Sequence, residues 1–202
     1  MDLSKPLADV IPGPRGQLLG TLVQLEAPVT VRALARHAGV APQTALSLVN
    51  ELAETGLVVT QRVGQAYLVA LNRSHVLAQP LTALSRTRAR LIERLSRELA
   101  EWADLAGAWL LGPVALGSGD RQSGIDICLV AAASTETAAW ADATGRLVDH
   151  VLSWTGNHAQ LLEYSRGSFA LLIRDGNQLV TQLREEGVAL TMGSRALLRQ
   201  AG

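Results

Sequence analysis

Residues 110–130, LLGPVALGSGDRQSGIDICLV, contain residue types that bind a nucleotide and its metal ion. An apolar segment leads into Gly112, a polar loop follows, and a second apolar segment carries Asp126. Two carboxylates spaced two residues apart on a strand point to the same face, so both can bind Mg²⁺. Only one of that pair is present, because Gly124 stands two residues before Asp126. The stretch therefore predicts the layout of a metal-dependent catalyst with half of its carboxylate pair missing.

This layout resembles the active-site element of the minimal nucleotidyltransferases of the polymerase-beta-like superfamily. Their motif is a hydrophobic–Gly–Ser turn, a loop of roughly ten residues, and then Asp–hydrophobic–Asp. The resemblance matches Gly112 to the glycine, and Ile125 and Asp126 to the last two motif positions, whereas Pro113 replaces the serine and Gly124 the first Asp. Proline has neither an N–H nor a hydroxyl to offer a triphosphate. The resemblance therefore implies weakened binding of both phosphate and metal.

The same resemblance implies further site residues on neighbouring segments. Glu163 is the candidate for a third carboxylate, although strand alternation alone does not fix the face on which it lies. The candidate nucleotide-binding residues are Gly112, Ser118 and Ser123, and Asp126 is the candidate metal ligand and, with Glu163, the candidate catalytic residue. The alternatives without catalysis or ligand binding are that Asp126 is an ordinary aspartate at the end of a strand and that 117–124 is an ordinary connecting loop.

The first third of the chain shows a different pattern. Apolar spacing predicts helices over 15–25, 31–38 and about 42–55, with a tight turn at Gly39 and a helix end at Gly56. Segments 57–62 and 66–72 predict a β-hairpin with its turn at 63–65. The third helix is expected to bury Ala45, Leu46, Val49 and Leu52. Residues 15–73 thus resemble a winged helix-turn-helix of the MarR and ArsR type.

That resemblance implies contacts with double-stranded DNA. The exposed side of the third helix carries short hydrogen-bonding groups suited to base edges in a major groove. Arginines on the second helix and on the wing suit phosphates. The candidate DNA-binding residues are Arg32, Arg36, Gln43, Thr44, Ser47, Asn50, Arg62 and Gln65. A protein–protein module with a solvated polar helix face is the alternative.

A leucine stripe over 80–106 predicts a linker helix. Leu81, Leu84, Leu91, Leu95 and Leu99 recur at intervals of three, four or seven residues, and arginines occupy much of the remaining surface. The stripe has three interpretations: packing against the flanking domains, a dimer seam, or an arginine face along DNA.

The second half predicts a mixed α/β sheet. Strands are expected over 108–112, 124–132, 158–164 and 188–192, with a helix over 136–154 and further helices within 168–186. The predicted fold class is α+β, with a winged helix-turn-helix domain at 1–75, a linker helix at 76–106, and a nucleotidyltransferase-like domain at 107–202. The whole arrangement is similar to actinobacterial-type regulator-like proteins.

Composition limits the cellular setting. The 202 residues are 48% hydrophobic, and the single Cys128 excludes a disulfide framework within one chain. No apolar run approaches membrane length, so we expect a cytoplasmic protein without a membrane partner. The formal net charge is zero, but residues 1–101 balance to +3 and residues 102–202 to −3. This modest basic excess predicts that DNA binding depends on a homodimer.

Two functions follow. In the first, the protein is a DNA-binding transcriptional regulator, and its inactive nucleotidyltransferase-like domain serves dimerisation or binds a nucleotide-like ligand, with no cofactor. In the second, it is an active, Mg²⁺-dependent nucleotidyltransferase acting on a protein, RNA or small-molecule acceptor. The first is favoured, because losing one such electrostatic group costs about 10²–10³ in rate.

Overall fold

The chain folds into two units, seen in a computed structural model that describes residues 1–64 and 66–199. One unit is Lys5–Thr87, and the other combines Met1–Ser4 with Arg88–Gly202. Each contains helices and a sheet, so the α+β class is confirmed at that level. The division falls inside the segment 76–106 that was predicted as a linker helix.

The first unit surrounds a small antiparallel sheet with helices. Its elements are α1 (Pro6–Val10), α2 (Pro14–Gln24), β1 (Val29–Thr30), α3 (Val31–Ala38), α4 (Pro42–Glu54), β2 (Val58–Val63), β3 (Ala66–Leu71) and α5 (Ala78–Ser85). The strand order is β1-β3-β2. Leu18, Leu22 and Leu34 are fully buried in one apolar core that also includes Val49 and Val69. Neither α1 nor β1 was predicted, because five-residue and two-residue elements are too short to show a period.

Local signals at both ends define α3 and the turn that follows it. The Thr30 hydroxyl oxygen accepts a hydrogen bond from the Ala33 N–H at 3.2 Å, which caps the helix. Gly39 takes the left-handed conformation with φ +65°, and the Val40 N–H returns to the Ala35 carbonyl at 2.9 Å. Pro42 then begins α4, where a missing N–H costs nothing. These residues set the α3–turn–α4 geometry.

The β2–β3 hairpin extends from the core of this unit. Its register runs from Val58 opposite Leu71 to Val63 opposite Ala66. Val58 and Leu71 are buried, whereas the residues from Val59 to Val63 are exposed. Gly64 has φ +61° at the tip. Near the tip, β2 therefore presents the side chains of Val59–Val63 to solvent.

The second unit is built on a four-stranded mixed sheet. Its elements are α6 (Thr87–Ala100), β4 (Leu105–Leu111), α7 (Gly112–Leu116), β5 (Ile125–Ala131), α8 (Ala138–Thr155), β6 (Ala159–Ser165), α9 (Arg166–Arg174), α10 (Gln178–Glu185), β7 (Val188–Ala189) and α11 (Met192–Arg199). The strand order is β6-β5-β4-β7. β5 and β6 are parallel and joined through α8, and the other two pairs are antiparallel.

Helices cover both faces of this sheet. On one face, Ile125, Ile127 and Leu129 of β5 pack in a core with α6 and α8. On the other face, Cys128 and Val130 pack in a second core with residues of β4, α9, α10 and α11. Burial on both faces explains why β5 is a continuous apolar run rather than an alternating one. Burial also raises the pKa of the Cys128 thiol to about 12, so the thiol stays protonated.

The single helix predicted over 80–106 is two helices, α5 and α6. Their leucines belong to different cores: Leu81 packs in the core of the first unit, and Leu91, Leu95 and Leu99 pack in that of the second. The break lies at Arg86, whose φ and ψ of −94° and 15° are not helical. Of the three interpretations of the leucine stripe, packing is the one that the structure confirms.

Three other differences lie in the second unit. The strand predicted over 188–192 is reduced to Val188–Ala189, because Met192 already begins α11. α7 and α11 were not predicted at all. α7 is a single short turn, and α11 lies in a segment that was partly assigned to the last strand.

Candidate functional site

The first candidate site lies at the end of the second unit's sheet where β4 ends and β5 begins. Asp126 is paired with Leu111 of β4 and with Gln160 of β6, so Asp126 and Gln160 share one face. Gly112 follows Leu111 with φ +67°, and a Cβ built on it would overlap the Asp126 Oδ2 atom. The carboxylate therefore lies directly against the Gly112 backbone, as a glycine at this position permits.

Among the described residues, Asp126 has no charged partner within ion-pair distance. Its side chain is half-buried. Desolvation by burial raises the pKa of this carboxyl above its ordinary value of 3.8.

Gly124 leaves room for a side chain beside Asp126. A Cβ built on Gly124 would lie 3.4 Å from Asp126 Oδ1 and 3.4 Å from Gln160 Nε2, which is ordinary van der Waals contact. Residues 124 and 126 are two apart, so their side chains are directed to the same face of the sheet. The geometry thus leaves space at position 124 for a second carboxylate, which the sequence does not supply.

Glu163 does not join Asp126. It is paired with Leu129 on β5, and alternation places it on the opposite face of the sheet from Asp126 and Gln160. Its Oε2 atom accepts a hydrogen bond from the Trp140 indole N–H at 2.5 Å. The candidate assignment of Glu163 as the third carboxylate of this site is therefore not supported by the geometry.

The polar loop before β5 is occupied with its own hydrogen bonds. Asp120 Oδ1 accepts from the Ser123 hydroxyl at 2.7 Å and from the N–H groups of Gln122 and Ser123 at 3.0 and 2.9 Å. These bonds lower the pKa of Asp120. The hydrogen bond from the Ser123 hydroxyl has the largest effect, and the bond from the Gln122 N–H has the next largest. Ser118 is exposed, and its hydroxyl donates to the Pro113 carbonyl at 3.3 Å. The side-chain hydrogen bonds of Asp120, Ser118 and Ser123 join residues between 113 and 123, and none of these bonds reaches Asp126.

These residues do not fit a two-metal site. Asp126 supplies one carboxylate and Gln160 one amide oxygen. In the part of the chain that the structure describes, no three His, Cys, Asp or Glu side chains are grouped so that they could hold a metal ion. A triphosphate transfer site needs more negative charge than this to hold two Mg²⁺ ions. Asp126 and Gln160 are therefore too few ligands for the metal ions of a nucleotidyl-transfer reaction.

Replacing Asp126 by Asn is expected to raise stability at neutral pH. The folded-state pKa lies above the ordinary value of 3.8, so the ionised carboxylate opposes folding above the folded pKa. The gain should be well below about 1 kcal/mol, because solvent screens a half-exposed group. It should vanish as the pH falls towards 3.8, where the native acid is protonated. Urea unfolding at neutral and acidic pH measures it, and a loss of stability at neutral pH would contradict the assigned cause.

The second candidate site is the exposed side of α4 in the first unit. Gln43, Ser47 and Asn50 are exposed and spaced i, i+4 and i+7, so they lie on one face of the helix. Thr44 is half-buried at the edge of that face. The Ser47 hydroxyl is 3.4 Å from Glu51, whose other carboxylate oxygen pairs with Arg15 of α2. The face is polar and carries one acid that already has a basic partner.

Leu46 was predicted in the core and lies on the surface instead. Its side chain is 41% exposed, while Ala45, Val49 and Leu52 form the buried stripe. Leu46 therefore shares the outer side of α4 with Gln43 and Asn50. An exposed leucine on such a face can contact a thymine methyl group. Stripes through Ala45 and through Leu46 have equal helical spacing, so the sequence alone carries no signal that would have revealed it.

The basic candidates of this unit lie on two other elements. Arg32 and Arg36 are exposed and four residues apart, so they share one side of α3. Arg62 is exposed on β2, and its Nε donates to the Gly64 carbonyl at 3.2 Å, near the hairpin tip. Gln65 lies outside the described residues.

Comparison with known proteins does not assign the chain to a family. No protein-family model matches the chain, and no curated protein is significantly similar to it. Among the described residues, the helices are all too short or too polar to span a bilayer.

Proposed function

We propose that this chain is a cytoplasmic DNA-binding protein that regulates transcription. The observation that carries the proposal is the polar outer face of α4, presented by the capped α3 and the left-handed turn at Gly39. Short side chains with donors and acceptors at i, i+4 and i+7 match successive base edges in a major groove. In this proposal Gln43, Ser47 and Asn50 contact bases, and Leu46 contacts a thymine methyl.

The charges of the first unit fit a modest affinity for phosphates. Residues 5–87 contain seven Lys and Arg and four Asp and Glu, a balance of +3. Arg15 neutralises Glu51 on the outer side of α4, which removes a repulsion from the proposed contact face. Arg32, Arg36 and Arg62 are exposed and available for the DNA backbone. Few phosphate contacts per chain imply weak binding by a monomer.

A homodimer would supply the missing affinity. Two α4 helices in successive major grooves would contact half-sites about 10 base pairs apart, or a multiple of that. The leucines of α6 are buried inside their own unit, so they are not available as the seam between two chains. The dimer contact in this proposal therefore uses another surface.

The second unit has no catalytic role in nucleotidyl transfer in this proposal. Asp126 lacks a second carboxylate at position 124, Glu163 lies on the other face of the sheet, and Asp120 is bonded within its loop. Each missing charge of this kind costs about 10²–10³ in rate. A domain for ligand binding or assembly accounts for these residues better than an active transferase does.

Substitutions on α4 and on the hairpin separate base contacts from phosphate contacts. Gln43→Ala and Asn50→Ala are each expected to weaken specific binding by about 1–3 kcal/mol, with little change in non-specific binding. Arg62→Ala should weaken both, because a phosphate contact carries no sequence information. Mobility-shift titrations against a selected site and a scrambled duplex measure the two affinities.

The matched control is Gln17→Ala, which removes an exposed glutamine side chain from α2. It should leave both affinities unchanged. Equal losses for Gln43→Ala, Asn50→Ala and Arg62→Ala on every sequence would rule out α4 as the base-reading helix.

A further inference from the structure

The C-terminal helix α11 is firmly attached to the sheet of the second unit. Ser194 is fully buried, its hydroxyl donates to the Ala108 carbonyl at 2.7 Å, and its oxygen accepts from the Ala108 N–H at 3.0 Å. This one side chain therefore satisfies both backbone groups of a strand residue. α11 has a fixed position on β4 as a result.

Two glycines let α11 lie close to β4. A Cβ on Gly107 would come within 2.7 Å of the Leu197 Cδ1 atom, and a Cβ on Gly193 would overlap the Ala106 carbonyl oxygen. Larger residues at either position would force the helix away from the strand. Side chains on the outer side of α11 are thus carried on a rigid support.

That outer side borders an open groove of about 600 Å³. Its floor includes Trp109, which is 1% exposed and stacks on Phe169 with ring centroids 5.5 Å apart. Leu183 and Leu198 add apolar lining. A neighbouring groove of about 440 Å³ shares Ala189, Arg195 and Arg199 with the first. The first groove alone has a volume within the range of small-molecule sites.

Three arginines from two helices line this groove. Arg184 lies in the last turn of α10, and Arg195 and Arg199 lie four residues apart on α11. Hydrogen bonds to backbone carbonyls restrain two of them: Arg184 donates to Leu198 and Arg199 to Arg195, each at 3.3 Å. Restrained side chains lose less entropy when a ligand binds.

No acid of residues 1–64 or 66–199 pairs with the positive charge of the groove. Glu185 and Glu186 follow Arg184 in the chain, but neither lines the groove. Guanidinium groups pair bidentately with phosphate oxygens. The groove is therefore complementary to a compact polyanion.

We propose that the groove between α10, β7 and α11 binds a small molecule bearing two or more linked phosphoryl groups, through Arg184, Arg195 and Arg199. A nucleoside triphosphate and an inorganic oligophosphate share this chemistry. The site is separate from Asp126, needs no metal ion, and does not rest on DNA binding. It would give the second unit a ligand to sense.

Calorimetric titration of the full chain tests the site, with ATP and inorganic triphosphate as separate probes. Without Mg²⁺ and at about 0.15 M salt, at least one probe should bind saturably with one ligand per chain. Tighter binding of ATP would assign the apolar lining to the nucleoside, and equal binding would assign the site to the phosphates alone. The double change Arg195→Gln with Arg199→Gln should weaken binding at least about tenfold, since each lost bond is charge-assisted.

The charge-matched control is Arg146→Gln with Arg174→Gln, which removes two exposed arginines that do not line the groove. It should leave binding unchanged. Circular dichroism verifies folding of each variant, and the single change Arg195→Gln gives a milder second test. Equal weakening by both double variants would overturn the proposal, and so would the absence of saturable binding at millimolar probe or binding of duplex DNA alone.

Discussion

Replacing Gly124 by Asp together with Pro113 by Ser is expected to raise the affinity for Mg²⁺ by on the order of 10²-fold, because charge count sets the affinity of carboxylate sites. A Cβ at position 124 has room beside Asp126 and Gln160, so the new carboxylate can approach the old one without displacing backbone. The serine introduced in place of Pro113 would also restore an N–H and a hydroxyl at the turn. Titration of Mn²⁺ or Mg²⁺ by calorimetry measures the gain.

The matched control for this gain carries Asn instead of Asp at position 124, with the same Pro113→Ser change. Asparagine has the same size and no charge, so it should bind metal no better than the unmodified protein. Equal affinities for the Asp and Asn variants would show that the arrangement around Asp126 is not a degenerate metal site.

The unmodified protein is expected to transfer no nucleotidyl group above background. Labelled nucleoside triphosphates with Mg²⁺ or Mn²⁺ and candidate acceptors test this. Robust transfer that Asp126→Ala abolishes would contradict the inactive assignment and favour a working nucleotidyltransferase.

Replacing Gly112 by Ala is expected to lower the free energy of unfolding by about 2–4 kcal/mol, from left-handed backbone strain and overpacking together. Gly112 has φ +67°, and the added methyl would overlap the Asp126 carboxylate. Chemical denaturation followed by circular dichroism measures the loss. Adding Asp126→Ala should recover the part of the lost unfolding free energy that comes from the steric overlap. The part that comes from the left-handed backbone at position 112 should remain.

Gly145→Ala is the control for this prediction. Gly145 lies inside α8, and a Cβ on it would meet no atom within 4 Å. Alanine should therefore stabilise the helix by up to about 1 kcal/mol. Similar losses at Gly112 and Gly145 would show that the contact with Asp126 does not constrain position 112.

Elements with signals at both ends could be predicted from the sequence. α3 was predicted with the bounds that the structure has, because Thr30 caps its start and Gly39 ends it. The helices α2, α4 and α8 and the strands β4, β5 and β6 were also found within a few residues, whereas the break between α5 and α6 was not predicted. Short elements such as α1, β1 and α7 were not predicted, because so few residues show no period, and the last strand was predicted longer than the two residues of β7.

The position of side chains relative to neighbouring elements was less predictable. In α4, stripes through Ala45 or through Leu46 have equal helical spacing, and only packing against the rest of the unit buries the first. The face occupied by Glu163 depends on the register of β6 against β5, which pairs Gln160 with Asp126. Strand register is a property of two segments, so one segment alone did not reveal it.

The arginine-lined groove was not predicted because its arginines lie on two separate helices and its floor, Trp109, lies on a distant strand. Arg184 and Arg199 lie on different helices and are brought to one groove by the turn through β7. The attachment of α11 to β4 through Ser194 holds α11 in the position that this needs. Spacing along the sequence has no period that would signal such a site.

Footprinting of a genomic fragment pool tests the central claim, that the first unit binds specific double-stranded DNA. The full chain should protect discrete sites, with half-sites about 10 base pairs apart or a multiple of that. Protection should weaken steeply as salt rises, because phosphate contacts release counterions. Folded protein that retains no fragment at low salt would contradict the proposed function.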